Sequence, residues 1–256
     1  MNISHDENTV VLHKRDLRGS RLRFLMLTST PREPVAEILT QLASPWASVG
    51  PHDHWMPGGF LEPDEAKLGE CPHFLPVGLP QKLTDWWLKV PEGANTPNWD
   101  LVSTCKVGDE PGLMLIEGKA HSGECKKEGK PTGNAENDKQ IKSAIDEANR
   151  GLNAITSGWQ ISSDSCYQLS NRFAWAWKLS ALGVPTILVY LGFLHAAEMR
   201  DQGRPFGSAD EWKNCIHDHA SGIVPPGAWD RRLQAFGAPM WASIRPLDFQ
   251  WATEAQ

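Results

Sequence analysis

Glu117 and Lys119 stand two positions apart at the end of an apolar run, "GLMLIEGKAHSGE" at 112–124. Side chains two apart on a strand point to the same side. A strand otherwise suited to a core would therefore carry a carboxylate and an ammonium on one face at its end. Asp100 opens the preceding run, "NTPNWDLVSTCKV". If the two runs pair as a hairpin, the carboxylates of Asp100 and Glu117 meet across the sheet. Acids brought together repel each other, and a divalent cation held by hard oxygen ligands is the simplest compensation. Mg²⁺ takes one or two protein carboxylates and fills its other positions with water and phosphate oxygens, so phosphate is the expected substrate group. Lys119 would contact the scissile phosphate and orient or deprotonate the attacking water, while the metal stabilises charge developing on the phosphorane and leaving oxygen.

The elements that must position these residues follow from patterning. "HKRDLRGSRLR", with Lys14, Arg15, Arg18, Arg21 and Arg23, is read as solvated surface, and "FLMLTST" after it as a strand. "PREPVAEILTQLASPW" has the Pro and acids of a helix start. Residues 48–80, rich in Gly and Pro, form an irregular segment that covers something. "LPQKLTDWWLKV" predicts a second helix, and the polar "GDEPG" makes the runs on either side of it a hairpin. Ile141, Ala144, Ile145, Ala148, Leu152 and Ile155 recur with helical spacing. The helix "YQLSNRFAWAWKLSALG" ends in Gly183 and feeds the strand "VPTILVYLGF". These elements describe an α/β sandwich around a mixed sheet, and 256 residues fit one elaborated domain. The tail beyond about 200 is expected to be an appended cap.

A net charge of -6 argues against a protein coated in positive charge, but it leaves room for a local basic groove. The longest apolar stretch, "ILVYLGFLHAA", is too short to cross a bilayer. Five Cys without a C-x-x-C pair, behind a polar N-terminus, point to a reduced, cytoplasmic setting. Twelve Trp are read as core and wall material. His52, Asp53, His54, Cys71 and His73 lack zinc-site spacing, which makes structural zinc the minority reading. Cys105 and Cys125 have no adjacent base and are read as incidental thiols. Gln168, Asn171 and Arg172 share a helix face that serves either phosphate contact or capping and surface hydrogen bonds. His121 and Glu124 follow the strand end. His121 would face Glu117 and Lys119 if the strand continued, either to position water or phosphate or in a structural role.

"NWD", followed by a strand, a turn and "LMLIEGKAH", resembles the PD-(D/E)xK nuclease superfamily over residues 80–195, with Trp99 in place of the Pro. "EGKAHSGE" is similar to the strand end of uncharacterised bacterial members. The resemblance implies a restriction-endonuclease-like αβββαβ core, a mixed central sheet flanked by helices with N- and C-terminal additions, the latter over about 200–256. It implies Asp100, Glu117 and the Gly118 carbonyl as ligands of Mg²⁺ or Mn²⁺, Lys119 as the catalytic lysine, and a polar residue lent by the helix after the catalytic strand. The expected activity is divalent-metal-dependent hydrolysis of nucleic acid, with DNA as the substrate of an endonuclease in defence or repair, and double-strand cutting would suit a homodimer. An inactive scaffold that binds nucleic acid or protein is the alternative, and an enzyme acting on a small phosphorylated substrate is a third reading. Glu37 is the candidate for a further acidic ligand. The same letters recur at Asp53 and Glu65-Ala-Lys67, but no apolar strand leads into them, so these acids are expected to be solvated.

Overall fold

A five-stranded mixed sheet separates two apolar layers in the computed structural model, which describes residues 18–234 and 237–249. The strands and helices, in chain order, are α1 (Gly19–Thr28), α2 (Arg32–Ala43), β1 (Trp55–Met56), β2 (Ala66–Lys67), α3 (Leu79–Trp87), β3 (Asn98–Trp99), β4 (Leu101–Val107), β5 (Glu110–Lys119), α4 (Ala135–Ile155), α5 (Tyr167–Ala181), β6 (Thr186–Phe193), α6 (Ala209–Ala220) and β7 (Met240–Leu247). The sheet order is β1-β4-β5-β6-β7. The β1–β4 and β4–β5 pairs are antiparallel, and the β5–β6 and β6–β7 pairs are parallel.

Alternation along β5 divides the two layers. Met114 and Ile116 join Phe24 of α1 and Val35 and Leu39 of α2 in one core cluster. Leu113 and Leu115 join α3, α4, α5 and α6 in the other. By the same parity Glu117 and Lys119 face the α4–α5 layer. The hairpin forms as its sequence predicts, with Leu101 opposite Ile116 and Val107 opposite Glu110. Its two-residue loop places Gly108 at φ +62, which a tight antiparallel turn favours. The amphipathic spacing at 141–155 forms α4, and the Trp-rich composition goes largely to packing, with Trp86 and Trp87 each edge to face on Trp175.

Four expectations change. "FLMLTST" belongs to α1 and the turn after it, because its Leu and Met favour helix and the run has no β-branched residue before Thr28. Phe24 packs edge to face on Phe193 and covers the end of β5. The basic stretch is not a solvated face where it is described: Arg23 is buried against Glu198, Arg18 pairs with Asp201 and Arg21 pairs with Glu65, while Lys14 and Arg15 lie outside the described residues. The tail does more than cap the fold. It supplies α6 and β7, the edge strand beside β6. Between residues 79 and 193 the order is αβββααβ, one helix more than αβββαβ, and β3 pairs with β2 in a separate ribbon.

Candidate active site

Glu117 is 1 % exposed, yet it is ionised among donors. Burial alone would raise its pKa, but the Arg172 guanidinium and the Lys119 ammonium hold it below the usual carboxylate value. Its Oε1 accepts hydrogen bonds from Lys119 Nζ at 2.5 Å and Gln168 Nε2 at 2.6 Å, and its Oε2 accepts Arg172 Nε at 2.6 Å. Lys119 Nζ also donates to Gln168 Oε1 at 3.0 Å. Burial opposes its charge, but Glu117 and Asp100 together raise its pKa, so Lys119 is a firmly held cation.

Arg172, in the second turn of α5, owes its aim to the groups that receive it. Its guanidinium lies over the Trp99 ring at 4.5 Å and donates to the Asn98 carbonyl at 2.7 Å and to Asn171 Oδ1 at 3.0 Å. The three polar residues on this helix face are therefore neither free phosphate donors nor caps. Gln168 and Arg172 bind Glu117, and Asn171 supports Arg172.

Asp100 sits in the bend between β3 and β4. Its Oδ2 accepts the Gly118 N–H at 2.7 Å, and its other oxygen accepts no protein donor among the described residues. Burial first, and the Glu117 charge second, push its pKa up to about 8. Glu65, the residue before β2, adds to this effect from beside the β2–β3 ribbon. Glu65 is not solvated as expected: Arg21 Nη1 lies 2.6 Å away and Asn98 Nδ2 donates to it at 3.1 Å. No local pattern marks Glu65, since only the pairing of two two-residue strands carries it to Asp100. Glu37, the residue expected to supply a further acid, is exposed on α2 instead.

Glu65, Asn98, Asp100, Gln168 and Arg172 line an open cleft of about 860 Å³ that also takes in the N-terminus of α4, while Glu117 and Lys119 lie buried behind this lining. There Asn134 caps α4 by accepting the N–H of Glu136 and of Asn137. Asn137 in turn accepts the Lys89 and Val90 N–H groups and holds the segment just after α3 in place.

The fit to a divalent cation is partial. Asp100 offers an open oxygen whose proton affinity is raised by burial first and by the Glu117 charge second, which suits a hard cation completed by water and phosphate. Glu117 offers less, because both oxygens already receive donors. Among the described residues no group of three or more His, Cys, Asp or Glu side chains is arranged to hold a metal. That statement includes His52, Asp53, His54, Cys71 and His73; Asp53 is occupied by Thr104 Oγ1 at 2.6 Å and by the Gly50 N–H at 2.7 Å.

His121 does not join the cleft contacts. It lies 3.8 Å from Glu124, whose Oε2 accepts the Ala120 and His121 N–H groups, so Glu124 secures the exit from β5. No helix among the described residues is long and apolar enough to cross a membrane. The chain matches no protein-family model, no curated protein and no solved structure.

Proposed function

We propose that the protein is a divalent-metal-dependent phosphodiesterase acting on nucleic acid, with DNA as its substrate and a restriction-endonuclease-like core. The observation that carries this reading is Asp100: an acid with one open oxygen, lining an open cleft of about 860 Å³ and close enough to the buried Glu117 to feel its charge, with its pKa pushed up to about 8. A cation there would offset both the burial and the Glu117 charge that raise it. The helix, hairpin and parallel-strand order is consistent with the core that the motif resemblance implies.

Asp100 Oδ1 and a Glu117 oxygen are the atoms that would hold Mg²⁺ or Mn²⁺, and Gly118 positions Asp100 through its N–H rather than by a demonstrated carbonyl contact. Such a cation supplies Lewis-acid stabilisation of charge on the phosphate and leaving oxygen. Lys119, fixed as a cation, binds a phosphate oxygen and orients the attacking water rather than taking its proton. Gln168 and Arg172 keep the Glu117 carboxylate ionised and pointed into the site. The N-terminal end of α4 borders the cleft, but Asn134 already accepts its first N–H groups and Glu136 and Asp138 stand in its first turn, so it is given no phosphate contact.

A second reading is a scaffold that binds nucleic acid or protein without cutting it. The saturation of Glu117 by Lys119, Gln168 and Arg172 favours this reading. A plasmid cleavage assay with Mg²⁺ or Mn²⁺, and with EDTA, separates the two. Metal-dependent cutting that Glu117→Ala and Lys119→Ala both abolish is the expected result. A wild type that cuts neither plasmid, single-stranded DNA nor RNA, and shows no Glu117-dependent metal uptake by calorimetry, transfers the proposal to the scaffold.

A further inference from the structure

Two thiols meet away from the cleft. Cys125, in the segment leaving β5, and Cys215, within α6, are 90 positions apart in the chain and bring their sulfurs to 3.4 Å. Both are partly exposed, unlike the buried Cys105 and Cys166. Cys215 stands in the wall of a surface pocket of about 340 Å³, together with Ser122, Arg204, Glu211 and Asp218, so a small reagent reaches it from solvent.

Both supports of this pair are anchored. Glu124 Oε2 accepts the Ala120 N–H at 2.6 Å and the His121 N–H at 3.1 Å, fixing the chain just before Cys125. On α6, Trp212 packs over Gly192 of β6 so closely that a Cβ there would lie 2.4 Å from its ring. Bonded sulfurs sit at about 2.05 Å, so closure needs a local approach of roughly 1.4 Å rather than a rearrangement.

The two sulfurs also differ chemically. The contact with Cys125 lowers the Cys215 pKa, whereas that same contact, followed by burial, raises the pKa of Cys125. Cys215, the one of the two that lines the pocket, is the thiol that meets the oxidant, and Cys125 the thiol that resolves it.

We propose that Cys125 and Cys215 form a reversible dithiol–disulfide pair, oxidised by a small hydroperoxide that enters through the pocket beside α6. The Cys215 thiolate attacks a peroxide oxygen, the O–O bond breaks, and the leaving hydroxide takes up a proton to become water (an alcohol from an alkyl hydroperoxide). The Cys215 sulfenic acid is then attacked by the Cys125 sulfur: the S–S bond forms, the S–O bond breaks, and the hydroxyl leaves with the Cys125 proton as water. Two thiols lose two electrons in total and the peroxide gains them. A thiol reductant restores the pair by exchange. Oxidation ties the segment that follows Lys119 to α6, coupling the exit of β5 to the peroxide level.

The test is independent of nuclease activity. The full chain is treated with low equivalents of hydrogen peroxide, the remaining thiols are alkylated, and the peptides are mapped by mass spectrometry. The expected product is an intramolecular cross-link between the peptides carrying Cys125 and Cys215, reversed by dithiothreitol, forming at least about tenfold faster than oxidation of Cys71, a partly exposed cysteine with no thiol neighbour. Cys125→Ser should leave a sulfenic acid at Cys215 that dimedone traps. A cross-link to any other cysteine, or oxidation of Cys215 no faster than that of Cys71, overturns the proposal, and the wild-type map gives that result even if the variant fails to fold.

Discussion

Asp100 accepts the backbone N–H of Gly118 at 2.7 Å, a bond that runs from the start of β4 to the peptide between Glu117 and Lys119. The bond fixes the carboxylate where burial and Glu117 penalise its charge, pushing its pKa up to about 8 from 3.8. For an acid whose folded pKa is raised, the stability contribution is present below the unfolded pKa and is lost as pH rises through the folded pKa. Asp100→Asn keeps an acceptor for Gly118 and removes the charge. Its expected effect at pH 8 in EDTA is a melting temperature higher by ~2–6 °C, with loss of any Mg²⁺-dependent stabilisation. Paired thermal melts with EDTA and with Mg²⁺ check this, and an unchanged or lower metal-free melting temperature rejects it.

Arg172 holds the buried Glu117 through its Nε at 2.6 Å. Removing it leaves the carboxylate with only Lys119 and Gln168, so Arg172→Met is expected to destabilise the fold by about 2–4 kcal/mol. Adding Glu117→Gln should recover part of that loss, because the charge left behind is then gone. Urea denaturation of the two singles and the double measures the coupling directly.

Gly118 has a steric role as well as a backbone one. A Cβ there would lie 2.4 Å from the Phe24 ring, so Gly118→Ala should cost about 1–3 kcal/mol and displace the end of β5 from α1. Phe24→Leu in the same chain should return part of the stability. If Gly118→Ala is as stable as wild type, α1 does not clamp the strand end in this way.

Glu65 reaches Asp100 only through its field and through Asn98. Glu65→Gln is therefore expected to weaken Mn²⁺ binding by roughly tenfold without abolishing it, the size usual for a group that supports a ligand from behind. Calorimetric titration decides, and unchanged affinity would confine Glu65 to its ion pair with Arg21.

His219 is buried on α6, and burial first, then the Lys119 and Lys127 charges, bring its pKa down to about 4. The unfolded chain binds its proton near the ordinary value of 6.5, so stability from the neutral ring is complete above that pH and drains away as pH falls toward 4. Denaturation midpoints between pH 7 and 4 should fall, and should fall less steeply in His219→Gln.

Much of the site was legible because local patterning encodes it. The alternation of β4 and β5 and the turn at Gly108 set the hairpin, and parity along β5 put Glu117 and Lys119 on one face. The spacing of Ile141 through Ile155 announced α4. Other features depend on long-range packing that no window of sequence contains. Phe24 sits in an apolar run too short to separate strand from helix, Glu65 arrives because the two residues after it pair with the distant Asn98–Trp99, and the guanidinium of Arg172 turns inward because Glu117 and Trp99 receive it. β7 was concealed by Arg245 and Pro246 at its far end, although its first residues alternate between the two core clusters.

The place of β7 imposes an order on synthesis. β6 is made with one side free to pair with β5, while its other side waits for residues 240–247, which emerge after α6. Until they arrive, the growing chain displays an unpaired strand, buried throughout in the finished fold, whose backbone groups are open to any extended neighbour. A ribosome stalled within that interval, or a truncation ahead of Met240, would release a sheet with a sticky border; completion of the last strand, rather than formation of the hairpin, is the step that makes the molecule safe from its own copies.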